Sequence, residues 1–393
     1  MAAAGGVAIA IVSVASTYSI LATRAAPSRA LAVWPWNEEA RAAQASALLQ
    51  GSPAPGTVAR ANAAAKASLL ALPLNVVAAR AMGLAAALSG NTTKAGAAMA
   101  YAETLSRRDL PTQLWFIEQR VAANDVPGAL VHYDRALRTK TEAQDLLFPI
   151  LLSASTDPAV ARPLARILSA RPEWWRTFAE QLLGHNPSPM AIFLIMQGLR
   201  LDPSDSDERG LLARAMDRLV EAKRVDLATE LLPPSMLASR SMPRNGGFET
   251  DSGFRPFDWA TSDAPDLNGA MQSRDGGMGR ALFVTARNGQ SGEVARQVLA
   301  LAPGSYRLRA TIGGTALAAE APTLTIQCVG GGAVLTKLAA TTIAVAGTAV
   351  STQFVVPTDC RGQWIAVAGV AADGDVIDTL PWIDDIAIVA NRQ

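Results

Sequence analysis

The sequence predicts a multidomain chain of α plus β class: an N-terminal transmembrane helix (residues 1–23), an α-solenoid of helical repeats (24–241) and a C-terminal antiparallel β-sandwich (242–393). Three observations predict it. Residues Ala2 to Thr23 carry no charged side chain. Leucines recur at intervals of about 30 to 33 residues from Leu72 to Leu231. Near Met242 the chain turns from Ala- and Leu-rich to Gly-, Thr- and Val-rich, with short alternating runs.

The first element rests on length. Twenty-two helical residues at ~1.5 Å each span about 33 Å, enough for a bilayer core of about 30 Å. A cleaved signal peptide or a buried helix is the alternative. The segment lacks the early basic residues of a signal, and Ala22-Thr23-Arg24 is a poor cleavage site. Arg24 and Arg29 follow the span, which by the positive-inside rule leaves the bulk of the chain cytoplasmic. The two cysteines argue the other way, because a disulfide needs an oxidising compartment. The expectation is a single-pass inner-membrane protein with its bulk periplasmic. Trp34 and Trp36 then serve either as interfacial aromatics or as packing residues of the first repeat.

The second element rests on repetition. Leu72, Leu105, Leu137, Leu168, Leu201 and Leu231 each close a helical stretch and precede a break such as Pro73-Leu74-Asn75 or Asp202-Pro203-Ser204. An earlier break, Trp34-Pro35-Trp36-Asn37, has the same form. Small and aromatic residues alternate in Ala129-x3-Tyr133-x2-Ala136-Leu137, and Met82-Gly83 is followed by Gly90. This pattern resembles the tetratricopeptide repeat (TPR) family, whose unit is about 34 residues in two antiparallel helices. The resemblance implies stacked hairpins with a concave surface for a protein partner. Aromatic residues at Trp115-Phe116, Phe148 and Trp174-Trp175 are expected to pack between hairpins.

The third element rests on period-two alternation, as in Ser305–Ile312, Thr323–Val329, Gln353–Val356, Gln363–Ala368 and Trp382–Ile388. Three segments occur in a recognisable order: Asn245-Gly246-Gly247-Phe248-Glu249 with Pro256-Phe257-Asp258-Trp259, then Leu301-Ala302-Pro303-Gly304-Ser305-Tyr306, then Trp382-Ile383-Asp384-Asp385-Ile386. They resemble the galactose-binding-like jelly rolls of many carbohydrate-binding modules. The resemblance implies a glycan or protein ligand. It also implies a structural Ca2+ on the matching positions Gly247, Glu249 and Asp384 or Asp385; otherwise no cofactor is expected. Cys328 and Cys360 lie at the ends of candidate neighbouring strands and are expected to bridge, two buried thiols being the alternative. Trp364 and Trp382 are candidate sugar-stacking residues, though both sit at strand positions that favour the core.

The bulk numbers exclude much else. Among 393 residues, 35 basic and 34 acidic side chains leave a net charge of +1, which gives no electrostatic case for nucleic acid. Two histidines, His132 and His185, cannot furnish a zinc motif. Both fall in the helical array, read as surface or turn residues, away from any nucleophile context. No catalytic residue and no enzyme activity are expected. The functional expectation is a membrane-anchored cell-envelope scaffold of bacterial type. Its helical array takes a protein partner and its sandwich a polysaccharide or protein, as an accessory to exopolysaccharide production or export. The alternatives are a purely protein-binding structural protein and a carbohydrate-active enzyme with an unrecognised site.

Overall fold

The computed structural model describes residues 13–391 apart from 140, 185–187, 238–241, 251–253, 275–278, 316 and 372–379. The chain divides into two compact units. One comprises the chain up to Leu151 with Pro172–Trp174, the other Leu152–Arg171 with everything from Trp175 onward. The division falls inside the helical array, so the last helices share a unit with the sandwich.

In the first unit, α1 is helical from residue 13 to residue 22. It is followed by α2 (Pro27–Val33), α3 (Glu38–Leu48), α4 (Pro55–Ala71), α5 (Val76–Leu88), α6 (Thr92–Leu105), α7 (Leu110–Ala122), α8 (Val126–Leu137) and α9 (Glu142–Ala154), whose end crosses into the second unit. The expected transmembrane helix needs correction. Among the described residues no helix is long and apolar enough to cross a membrane, and residues 1–12 of the expected span lie outside them. The described part of the expected span, residues 13–22, is a ten-residue helix that carries the hydroxyls of Ser13, Ser16, Thr17 and Ser19. Ser19 is fully buried and donates to the Ala30 carbonyl at 3.0 Å. Asn37 Nδ2 donates to Ser19 Oγ at 2.9 Å and to Thr23 Oγ1 at 3.0 Å. These bonds hold the end of α1 against the first hairpin. The single-pass inner-membrane placement, with the bulk periplasmic, falls with the span.

Helix starts follow a common chemistry. The side chains of Asn37, Asn75, Asn91, Asp109 and Asp125 accept from backbone N–H groups in the first turns of α3, α5, α6, α7 and α8. Each satisfies one of the donors that a helix N-terminus leaves open. The hairpin turns also recur. Gly90 and Asn124 adopt left-handed backbone, with φ of 75° and 55°. In each case the next N–H reaches back to the preceding helix: Asn91 N to Ala86 O at 2.9 Å and Asp125 N to Arg120 O at 2.8 Å. This pattern of helix termination satisfies carbonyls at the C-terminus. Gly83 is required where α5 meets α6, since a Cβ there would fall 2.8 Å from Met99 Cγ. Ala129, Tyr133, Ala136 and Leu137 of α8 are all buried.

His132 departs from its expected surface role. It is 5% exposed, its ring stacks on Phe116 at 4.6 Å, and Nδ1 faces Gln113 Oε1 at 2.8 Å. His185 lies outside the described residues.

In the second unit the helices are α10 (Pro158–Ser169), α11 (Trp175–Gly184), α12 (Pro189–Leu199), α13 (Ser206–Glu221), α14 (Val225–Glu230) and α15 (Pro234–Leu237). Asp157 and Asp205 cap α10 and α13. Lys223 repeats the left-handed turn, φ 61°, with Arg224 N reaching Leu219 O at 2.8 Å.

The sandwich follows, with β1 (Ala260–Thr261), β2 (Asp263–Ala264), β3 (Leu267–Ser273), β4 (Arg280–Ala286), β5 (Gly292–Leu299), β6 (Gly304–Gly313), β7 (Thr323–Cys328), β8 (Val334–Leu338), β9 (Thr348–Val356), β10 (Gln363–Gly369) and β11 (Trp382–Ala390). They form a five-stranded sheet, β1-β5-β10-β7-β8, and a six-stranded sheet, β2-β3-β4-β11-β6-β9, with antiparallel pairing throughout. Side chains from both sheets meet in one core that includes Phe248, Trp259, Leu282, Leu308, Ile326, Ile365 and Ile383. Cys328 at the end of β7 and Cys360 just before β10 are joined, with S–S 2.08 Å and Cα–Cα 5.5 Å.

Candidate functional site

The opening segment and the last strand together shape one edge of the sandwich. Asn245 and Phe248 both take left-handed backbone, φ 49° and 55°. Asn245 stabilises its turn by exchanging side-chain bonds with Thr250, and its carbonyl accepts from Trp259 Nε1 at 3.2 Å. Phe248 and Trp259 pack ring against ring at 5.3 Å, both fully buried. The jelly-roll-like opening motif is thus a structural clasp. Gly246 lies so close to β11 that a Cβ would sit 2.0 Å from the Ile386 carbonyl. Its own carbonyl accepts from Ile386 N at 2.9 Å, and Met242 O accepts from Ile388 N at 2.7 Å.

At this point β11 is irregular. Asp384 pairs with Thr311 and Ala387 with Arg309, so Asp385 and Ile386 occupy a bulge. Asp385 takes φ 52° there. A bulge bends its strand and redirects side chains. The bulge, the clasp and the outward residues of β6 and β9 enclose a groove of about 1090 Å³. Glu249 and Asp385 line it, as do Arg307, Arg309, Ser351 and Thr311. Among the described residues no aromatic side chain lines it.

The expected calcium ligands are neighbours in space, but their donors are engaged elsewhere. Asp384 is 3% exposed; its Oδ2 pairs with Arg274 Nη2 at 2.9 Å and its Oδ1 accepts from Asp385 N at 2.7 Å. Glu249 Oε1 accepts from Arg280 N at 3.1 Å. A Cβ added at Gly247 would lie 3.8 Å from both Asp384 Oδ1 and Glu249 Cγ. Calcium takes six to eight oxygens. Among the described residues no group of three or more His, Cys, Asp or Glu side chains is placed to hold a metal ion. The residues present therefore do not fit a calcium ion, because a guanidinium already balances the buried carboxylate. Burial holds Asp384 above the usual carboxylate range, helped by the charges of Asp385 and Glu249, while the Asp385 N–H and the Arg274 guanidinium oppose it without reversing it.

Neither expected stacking residue offers an open face. Trp382 is 7% exposed, is pressed by Gly313, Gly314 and Gly347, and carries Arg274 over its ring at 4.7 Å. Trp364 is half-buried on the other sheet and is covered by Arg296 at 4.6 Å. The residues that do line the groove, Arg307 and Arg309, were visible in the sequence as alternate positions of one strand.

A second groove, of about 740 Å³, runs along α4, α5 and α6. It presents Asn62, Lys66, Lys94 and Tyr101 above an alanine-rich floor.

No family profile matches the chain, and no curated protein matches it. Among solved structures the β-sandwich is similar to carbohydrate-binding modules. One is a CBM4 module, at 13% identity and TM-score 0.27, covering 38% of this chain and 99% of that one. Another is TmCBM61 in complex with β-1,4-galactotriose, at 18% identity and TM-score 0.27, covering 39% and 100%. A third is CBM6cm-2 from Cellvibrio mixtus lichenase 5A in complex with cellotriose, at 15% identity and TM-score 0.22, covering 34% and 92%. At these scores the likeness says nothing of ligand or site.

Proposed function

We propose that this chain is a non-catalytic binding protein whose sandwich holds a polysaccharide in the groove beside the β11 bulge. The observation that carries the reading is the groove itself, an open cleft lined by Glu249, Asp385, Arg307, Arg309, Ser351 and Thr311. Carboxylates accept hydrogen bonds from hydroxyl groups and guanidiniums donate to oxygen, so a polyhydroxylated chain finds partners of both kinds. In this reading hydrogen bonds and charge from these side chains carry the recognition.

The helical hairpins supply the protein-binding half of the proposal. Their period, caps and left-handed turns support reading them as a TPR-like array, in which the groove along α4, α5 and α6 offers lysine, asparagine and tyrosine donors to an extended partner. A role as an accessory to exopolysaccharide production or export follows if both halves are engaged at once.

Affinity electrophoresis of the full chain through gels containing a panel of neutral and acidic polysaccharides tests the sandwich reading. Ala349 lines the groove and is exposed on β9, so Ala349→Trp fills the cleft without touching the core. Retardation by at least one polysaccharide, lost in Ala349→Trp, is the expected outcome. Passage of the wild-type protein through every gel, or equal retardation of the variant, overturns the reading. Release of oligosaccharide fragments would overturn the non-catalytic part, since two carboxylates line the cleft.

A further inference from the structure

We infer that the ligand of the sandwich groove is an acidic polysaccharide, its carboxylates held by Arg307 and Arg309; this deepens the polysaccharide reading above and rests on it. Both arginines lie on β6 and are solvent-exposed. Two residues apart on one strand, they project from the same face at a spacing of about 6.6 to 6.8 Å.

Their neighbours on the two flanking strands leave both charges unpaired. Across the β11 ladder Arg307 faces Val389 and Arg309 faces Ala387. Across the β9 ladder they face Gln353 and Ser351. All four neighbours are uncharged. Neither guanidinium has a hydrogen bond or ion pair among the described residues, whereas Arg41, Arg80, Arg120, Arg135, Arg138 and Arg274 each meet a carboxylate within 2.9 Å. Like charges side by side on a sheet face disfavour one another. An anion bridging or pairing with them removes that cost.

The donor type narrows the class of anion. A guanidinium presents a planar fork that matches a carboxylate with two parallel N–H···O bonds. The groove also carries Glu249 and Asp385 in its lining, and these carboxylates suit the hydroxyls of the same sugar units. A polyuronate combines both features, with a carboxylate and free hydroxyls on every unit.

The probes are polygalacturonate, alginate and fully methyl-esterified polygalacturonate, the last having the same backbone without charge. Binding is measured on the full chain by affinity electrophoresis and isothermal titration. At least one of the two polyuronates should bind, the ester should not, and affinity should fall as sodium chloride is raised, because exposed ion pairs are screened. In Arg307→Gln/Arg309→Gln, affinity for the bound polyuronate should fall by about tenfold or more, as expected for loss of charged hydrogen bonds. Arg307→Lys/Arg309→Lys should recover only part of it, because lysine lacks the fork. An unchanged melting temperature in the double Gln variant shows that folding is not the cause. Equal binding of the ester, or full affinity in the double Gln variant, overturns the inference while leaving polysaccharide binding intact. Binding of neutral polymers alone does the same. Binding of no polysaccharide at all overturns both readings.

Discussion

Arg274 stands 2.9 Å from Asp384, and the same guanidinium lies 4.7 Å above the ring of Trp382. One side chain thus neutralises a buried acid and covers a buried tryptophan. The positive charge that a jelly-roll-like clasp was expected to take from calcium is supplied covalently by the chain. A chelator should leave the melting temperature of the full protein unchanged, as read by calorimetry. Arg274→Met, by contrast, should destabilise by about 3 kcal/mol, since it strands a buried carboxylate.

Asp384 and His132 should respond to pH in opposite directions. Burial raises the Asp384 carboxyl above its usual 3.8, so in that window the folded state binds more protons than the unfolded one. Its contribution to stability is full below the ordinary carboxylate range and is lost as pH rises through the raised value. Burial lowers His132 below its usual 6.5, partly opposed by Glu103 and reinforced by Arg135. Its contribution is full above 6.5 and is lost as pH falls through the lowered value. Denaturant titrations from pH 3 to 8 check both. Asp384→Asn should remove the first slope and His132→Gln the second, each seen as a difference from wild type.

Asp109 has two tasks in the helical array, and removing it should cost more than removing an ordinary cap. Its Oδ2 accepts from Thr112 N at 3.2 Å and from Thr112 Oγ1 at 2.6 Å. Its Oδ1 pairs with Arg80 at 2.5 Å, both side chains being 11% exposed. Asp109→Ala should lower stability by about 3 to 5 kcal/mol because it leaves Arg80 buried without its partner. Asn91→Ala removes an exposed cap and should cost about 1 kcal/mol. Chemical denaturation of the two variants compares them directly.

The Cys328–Cys360 link closes a separation of 32 residues around β8 and β9. Mass spectrometry of the intact protein under non-reducing conditions should find no free thiol. The double variant Cys328→Ser/Cys360→Ser should lose about 2 to 4 kcal/mol of stability, measured by thermal unfolding.

Much of this fold was legible wherever one face of an element is buried and the other is wet. β6, β7, β10 and β11 show period-two alternation, and the recurring leucines close α4, α6, α8, α10 and α14 as the spacing predicts. β5 was harder to read, because Gln297, a polar residue on the same face as the core residues Ala295 and Leu299, is fully buried and bonds to both Arg244 N and Arg244 O. β3 and β4 likewise lack a clean alternation. The buried state of His132 depends on Gln113, 19 residues earlier, a contact that only hairpin packing creates. In the segment before Arg24 the partners of the Ser19 and Thr23 hydroxyls, Ala30 and Asn37, are set only by the packing of α2 and α3 and leave no mark in the local sequence. At the groove, the alternation of β6 marks its buried members, but nothing in the sequence shows that Arg307 and Arg309 on the opposite face meet the bulge of β11.

Met242 and Gly246 are hydrogen-bonded to Ile388 and Ile386, so the chain enters and leaves the sandwich through adjacent backbone. Fraying at either end of the domain therefore breaks the same backbone bonds, so the first and last segments of the sandwich come apart together. The same lacing makes the groove dependent on both ends of the module at once, because the clasp and the bulge that enclose it come from opposite extremes of the domain.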